Sequence, residues 1–377
     1  MCPISPPIKP ETVDPKPAEK AVQEALMIGP ESNLNDLTPE WSKNSAIGLD
    51  TEFVRERTFY PQPGLVQISD GISVWLVDPI NREDFANIGE VLENRNIIKI
   101  LHSVGEDLEI FRLLTNTLPD PLFDTQIAAA MLGFPLQCRY ENLVDECFGV
   151  ALPGGQARSN WCKRPLDPGL LEYAAQDVIW LPRLQEILSE ALERRNRLQW
   201  LHEDCRRLIR STTEHTAALV RVKGAGKLDD QRLAWLKRLA EWRDQQARER
   251  DLPRGFVLRD DDMISLTEAA GNRHHLEKTL ATLPHPVRRR LGDQLVELLD
   301  GSAPDPLERP PELISLSNEQ RQRLKQAQKT VRSIAEEMGV DPALIASKRE
   351  LTRLIRGETP DWLNGWRGEL LGDLAAV

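Results

Sequence analysis

The period of the apolar positions changes along the chain. Between Ala46 and Leu101 they fall in short runs, Ala46 to Phe53, Leu65 to Ser69, Val74 to Val77 and Ile97 to Leu101, each of strand length. Asp70-Gly71, between the second and third runs, predicts a tight turn and an antiparallel hairpin. After the fourth run the spacing becomes helical. Ser103, with Glu106 three residues on, has the form of a capping box ahead of Leu108, Ile110 and Phe111. Further helical patterns cover Asp124 to Leu132, Glu141 to Phe148 and Pro168 to about Arg197. Leu152 to Lys163, with Pro153, Gly154 and Gly155, reads as a mobile surface loop. A hairpin followed by alternating strand and helix predicts an α/β domain with a mixed sheet. Beyond about residue 211 strand signals stop. Leu233, Leu236, Ala240 and Ala247, and later Leu324, Val331, Ala335 and Met338, recur near helical spacing, and the Pro-rich run Ala303 to Pro311 divides this helical remainder. Residues 1–24 read as a flexible Pro-rich tail that resists both helix and sheet.

Composition adds a bound and a puzzle. A chain of 377 residues, at roughly 150 per domain, predicts two or three domains. With 40% apolar and 28% charged residues it belongs with globular proteins rather than disordered, fibrous or membrane-embedded ones. No apolar run approaches the roughly 18 residues that span a bilayer, so no membrane partner is expected. The net charge of -11 argues against a uniformly basic surface, and the whole deficit falls in residues 1–210. Five cysteines, odd in number and without a CxxC pair, suggest neither a disulfide framework nor a thiolate zinc site. With no signal-peptide pattern at Met1, a reducing cytoplasm is the expected compartment.

The puzzle is why acidic residues occupy positions where they are expensive. A strand's period of two puts Asp50 and Glu52 side by side on one face of what should be the first, central strand. For an arbitrary Asp-x-Glu a solvated pair is the ordinary reading. Asp107 falls in the first turn of the next helix, where it also complements the helix dipole. Tyr173 and Asp177, four apart on a helix, share a face beside the small Ala174 and Ala175. Four carboxylates and a phenol in this order suit a pair of hard divalent cations, Mg²⁺ or Mn²⁺, that clamp the attacking and leaving oxygens of a phosphodiester. The tyrosine, a poor base at its ordinary pKa, would orient the attacking water and help deprotonate it.

These segments carry a resemblance. Asp50-Thr51-Glu52-Phe53, His102 to Phe111 and Tyr173-x-x-x-Asp177 resemble the three motifs of DEDDy exonucleases, and with Asp124 to Ala129 and Trp161 to Leu166 the likeness is closest to the bacterial ribonuclease D family. Leu233 to Thr267 resembles the HRDC module of that family, and Asn364 to Leu370 resembles its closing segment, so the likeness covers about residue 25 to the C-terminus. It implies a ribonuclease H-like exonuclease domain with a mixed sheet over 25–210, then two all-α HRDC-type domains over 211–305 and 306–377. It further implies two metal ions held by Asp50, Glu52, Asp107 and Asp177, with Tyr173 assisting the attacking water. The implied activity is removal of extra nucleotides from the 3' end of tRNA precursors, releasing nucleoside 5'-monophosphates. The expected protein is a monomer with no nucleotide cofactor. Two alternatives are an exonuclease acting on DNA and a non-catalytic nucleic-acid-binding scaffold; the second predicts loss of a metal ligand, and none is lost.

Other residues admit two readings each. Asp124 is an N-cap or a fifth acidic group near the metals. His102 is a substrate contact or a buried histidine satisfied by the backbone, and Phe53 stacks on a terminal base or belongs to the core. Arg158, Lys163 and Arg164 flank the Gly-rich loop and receive phosphates or form a solvated loop edge. Arg321, Lys325, Lys329 and Arg332 form a basic stripe on one helix face, a polyanion site or simply a solvated face. Arg243, Arg248, Arg250 and Arg254 are a second basic concentration, interleaved with acids. Gly224 to Leu228 lacks the spacing and the preceding strand of a nucleotide-binding loop.

Overall fold

The computed structural model describes residue 8, residue 11, and residues 13–212 and 217–375. Two compact units emerge: residues 1–54, 61–214 and 323–377 form one, and Arg55–Tyr60 with His215–Gln322 form the other.

The first unit is built on six strands, β1 (Leu26–Ile28), β2 (Ala46–Val54), β3 (Gln62–Ser69), β4 (Val74–Val77), β5 (Ile98–Leu101) and β6 (Leu122–Asp124), in the order β1-β4-β3-β2-β5-β6. The sheet is mixed, as the apolar runs predict: β2 pairs antiparallel with β3 and parallel with β5. The β3–β4 hairpin turns at Gly71, whose φ of +89° is a conformation glycine adopts without steric cost. The predicted run at 46–53 is thus an interior strand, with Ile47 and Leu49 fully buried. β1 and β6 escape the sequence pattern because three residues are too few to show a period.

Position 48 sets how closely the next layer approaches. A Cβ on Gly48 would lie 2.9 Å from both the Leu181 Cβ and the Val178 carbonyl oxygen. The absent side chain therefore lets the helix Pro168–Ile179 and its successor Leu181–Arg194 settle directly on β2. These two helices replace the single one expected from Pro168 to about Arg197. The break falls at Trp180, because Pro182 is tolerated only in the first turn of the second helix.

Two local expectations are corrected. Ser103 does not cap the Asp107–Thr115 helix: it sits at φ +64°, and the helix starts from Glu106 with no side-chain cap. The Asp124 carboxylate instead takes the backbone N–H groups of Ser103 and Val104, at 3.2 and 3.0 Å. Within the expected tail, Lys16–Gln23 is helical, with Pro17 in the first turn, where its missing N–H is not needed, and Ala21 and Val22 buried. The rest of that expectation falls mostly outside the described residues.

Residues 323–377 belong to the first unit and dock on its Leu198–Ser211 helix. Trp200 stacks on Trp366 with ring centroids 4.7 Å apart, and Arg367 forms a buried ion pair with Asp204. The second unit packs the helices Asp230–Glu249, Asp260–Ala269, Arg273–Leu280 and His285–Leu299 around Leu233, Leu236, Leu266, Leu291 and Leu295.

Candidate active site

Strand alternation places Gly48, Asp50 and Glu52 on the face of β2 that receives the Pro168–Ile179 helix, which carries Tyr173 and Asp177. The carboxylates of Asp50, Glu52 and Asp177 converge, with one oxygen from each lying within 4.8 Å of the others. Asp107 stands outside this trio. It is buried at the start of its helix, and the Thr51 hydroxyl donates to its Oδ1. It is still close enough to raise the pKa values of Asp50 and Glu52.

The electrostatics are those of a site built for added positive charge. Burial, followed by repulsion from Asp107, Asp177 and Glu52, holds Asp50 well above the usual carboxylate range. Burial, then Asp177 and Asp107, pushes Glu52 up to about 9. Burial raises Asp107 to about 6 against the opposing Thr51 hydrogen bond, and Asp177 to about 7 against the hydrogen bond from Tyr173. Without a cation Glu52 keeps its proton at neutrality and Asp177 is only partly ionised, because adjacent buried carboxylates cannot all be charged. An all-oxygen donor set fits hard divalent cations. Gln67, directly opposite Asp50 in the β2–β3 register, is fully buried with neither amide atom hydrogen-bonded.

Tyr173 donates its hydroxyl to Asp177, and burial with the surrounding carboxylates raises its pKa, so the phenol stays protonated. Its ring is backed by Trp161, 6.2 Å away and fully buried. Trp161 can approach because position 64 is glycine: a Cβ there would lie 2.6 Å from the Trp161 Cβ.

A cavity of about 560 Å³ opens beside the carboxylates, lined among others by Asp50, Tyr173, Asp177, His102, Arg139 and Arg158. Both His102 ring nitrogens are engaged, Nδ1 with Thr125 Oγ1 at 2.8 Å and Nε2 with the Cys138 carbonyl at 2.9 Å, so the ring borders the cavity in a fixed orientation. Arg158 faces the cavity, whereas Lys163 is exposed and Phe53 half-buried at a bulge in β2, and neither lines it. Arg164 is spent structurally: its guanidinium pairs with Asp78 at 2.6 Å and donates to the carbonyls of Trp161 and Gly64. Asp124 is the N-cap of Thr125–Leu132, and the four backbone N–H groups on its oxygens leave it no role as a fifth ligand. Arg321 and Lys325 are exposed on the Asn318–Met338 helix, and neither is among the residues lining this cavity. Arg139, Gln126 and Glu141 line the cavity without having been singled out in the sequence; the only sign of Arg139 was its place just ahead of the Glu141 helical pattern.

Comparison with known proteins agrees with this geometry. A 3'-5' exonuclease family pattern matches residues 26–193, an HRDC domain pattern matches 232–299, and the pattern of the ribonuclease D C-terminal HRDC domain matches 319–374. The chain is 33% identical to ribonuclease D of Shewanella sp., over 97% of this chain and 96% of that one. It is 37% identical to ribonuclease D of Pseudomonas paraeruginosa, over 93% and 96%. The crystal structure of Escherichia coli RNase D, described as an exoribonuclease involved in structured RNA processing, superposes with a TM-score of 0.84 at 32% identity, covering 93% of this chain and 97% of that one.

Proposed function

The chain belongs to the ribonuclease D family and is a 3'-5' exoribonuclease, and on that premise we propose that it trims the 3' extensions of tRNA precursors, releasing nucleoside 5'-monophosphates. The observation that carries the chemistry is the convergence of Asp50, Glu52 and Asp177 beneath a cavity large enough for the end of a nucleic-acid strand. In this reading Asp50, Glu52, Asp107 and Asp177 hold two divalent ions, Mg²⁺ or Mn²⁺. When bound, such ions acidify the attacking water and neutralise charge on the scissile phosphate.

The chain's own residues supply position. Tyr173, kept protonated and fixed through Asp177, orients the attacking water rather than removing its proton. Arg139 and Arg158, which line the same cavity, offer cations to the phosphates of the terminal nucleotides. We place the enzyme in the cytoplasm, acting as a monomer.

The test is to incubate the purified protein with 3'-extended tRNA and with matched single-stranded DNA, in Mg²⁺, Mn²⁺ or chelator. The expected result is stepwise shortening of the RNA from its 3' end, only with metal, and no hydrolysis by Asp177→Asn. Cleavage that persists in chelator would sink the metal chemistry, and DNA degraded as fast as RNA would sink the substrate assignment.

A further inference from the structure

Gln67 stands in the middle of the sheet with nothing to bond to. It belongs to β3, is fully buried, and neither its amide oxygen nor its amide nitrogen has a hydrogen-bond partner. Leaving a buried polar group unpaired costs free energy, whereas an apolar side chain of similar volume fills the same space without that cost. The amide therefore calls for a partner in another state of the molecule.

The strand register narrows the choice. Residues directly opposite each other on neighbouring strands share a face, with Cβ atoms about 5 Å apart. Gln67 lies opposite Asp50 of β2 on one side and Leu76 of β4 on the other. The remaining polar groups on this face outside the carboxylate cluster are already engaged. Along β3, Ser69 donates its hydroxyl to the Ser73 carbonyl at 2.9 Å and accepts the Gly71 N–H at 3.0 Å. Two residues on from Leu76, Asp78 is taken by the Arg164 guanidinium at 2.6 Å and by the Ile80 N–H at 2.9 Å. The Pro168–Ile179 helix packs on β2, β3 and β4 and buries Ala174, Ala175 and Val178, which offer no side-chain partner. What remains is the carboxylate cluster, and Asp50 is the member directly opposite. Gln67 is not among the residues lining the cavity, so it reaches the chemistry through Asp50 and not through the RNA.

We propose that Gln67 is a positioning residue for the metal site: its amide N–H donates to one oxygen of the Asp50 carboxylate and so fixes the other oxygen for a divalent ion. This rests on the reading of the carboxylates as metal ligands. A ligating carboxylate is itself oriented by a hydrogen-bond donor, and loss of such a donor lowers metal affinity about 10- to 100-fold.

The test is Mn²⁺ binding to the full chain without RNA, read from the electron paramagnetic resonance signal of the free ion, beside thermal unfolding in chelator. Gln67→Met removes both amide atoms at similar volume. The Kd for Mn²⁺ should rise about tenfold. The Tm in chelator should equal the parent's or exceed it, because two unpaired buried atoms are gone. A side chain serving only the fold would do the reverse, lowering the Tm in chelator and leaving Mn²⁺ affinity unchanged. Should methionine lower both, Gln67→Ala, which cannot crowd its neighbours, decides: an affinity loss of about threefold or more upholds the role. A smaller loss in both variants, with a parent that binds Mn²⁺, would overturn the proposal alone. A parent that binds no Mn²⁺ would overturn the metal reading and the proposal with it.

Discussion

At Asp177 two influences oppose each other: burial raises its pKa, and the Tyr173 hydroxyl, donating to the carboxylate, lowers it. Tyr173→Phe removes only the second. Asp177 should then hold its proton to higher pH, moving the acid limb of the pH–rate profile upward, while turnover falls roughly 10- to 100-fold from loss of the oriented hydroxyl. A pH–rate profile under single-turnover conditions checks both; an unmoved acid limb would separate Tyr173 from Asp177. The same carboxylates set the stability of the metal-free protein. Their folded pKa values, about 6, 7 and 9 for Asp107, Asp177 and Glu52, lie above those of the unfolded chain, so between about pH 4 and pH 9 the folded state binds more protons. Stability should therefore fall as pH rises through that window, and added Mn²⁺ should recover it at the alkaline end. Thermal unfolding in chelator and in metal, from pH 5 to 9, measures this. A strand's period of two and a helix's spacing of four showed only that Asp50 shares a face with Glu52 and Tyr173 with Asp177; Asp107, and the reading of all five as one site, came from their order along the chain and the family resemblance. Gln67 was not legible, since its place opposite Asp50 depends on the β2–β3 register.

Among the elements, Asp124 shows why local signals mislead. Ser103 and Glu106 have the letters of a capping box, yet the donors at 103 and 104 go to a carboxylate some twenty residues later. That same carboxylate caps Thr125–Leu132 through Gln126 and Ile127, tying the turn ahead of Asp107 to the start of the next helix. Asp124→Ala strands four backbone donors at once, so a loss of roughly 2–4 kcal/mol is expected, and Asp124→Asn, which keeps an acceptor oxygen, should lose less. Urea unfolding of both variants ranks them, and equal stability of parent and Asp124→Ala would remove the joint role. The break at Trp180 was written in the sequence as Pro182, which a single helix from Pro168 to about Arg197 would carry in its interior, and the close approach at Gly48 shows both resulting helices settling on β2.

For the whole molecule, the chain's linear order is a poor guide to which parts pack together. The Pro-rich run at 303–311 and the helical periods behind it suggest a separate closing module, and a C-terminal HRDC pattern does match 319–374, yet residues 323–377 cluster with the sheet rather than with the other helical domain. The reason is a contact about 160 residues apart in sequence, which no periodicity reveals. Asp204, 4% exposed, receives the Arg367 guanidinium, with Nη2 at 2.8 Å from Oδ2, and Arg367 also donates to the carbonyls of Ile345 and Leu344, both at 2.9 Å. Glu350 reaches Arg207 at 2.9 Å from the same C-terminal segment. Removing Asp204 would leave the Arg367 charge buried without its counterion, a loss of about 3–5 kcal/mol. Replacing both partners with apolar side chains of similar volume would leave no buried charge at all. Asp204→Ala should accordingly lower the urea midpoint and open the 303–322 connection to limited proteolysis, while the double variant Asp204→Leu with Arg367→Met should recover most of the stability. Parent-like stability in Asp204→Ala would mean that the stacked Trp200–Trp366 pair, rather than the ion pair, holds the C-terminal helices to the catalytic unit.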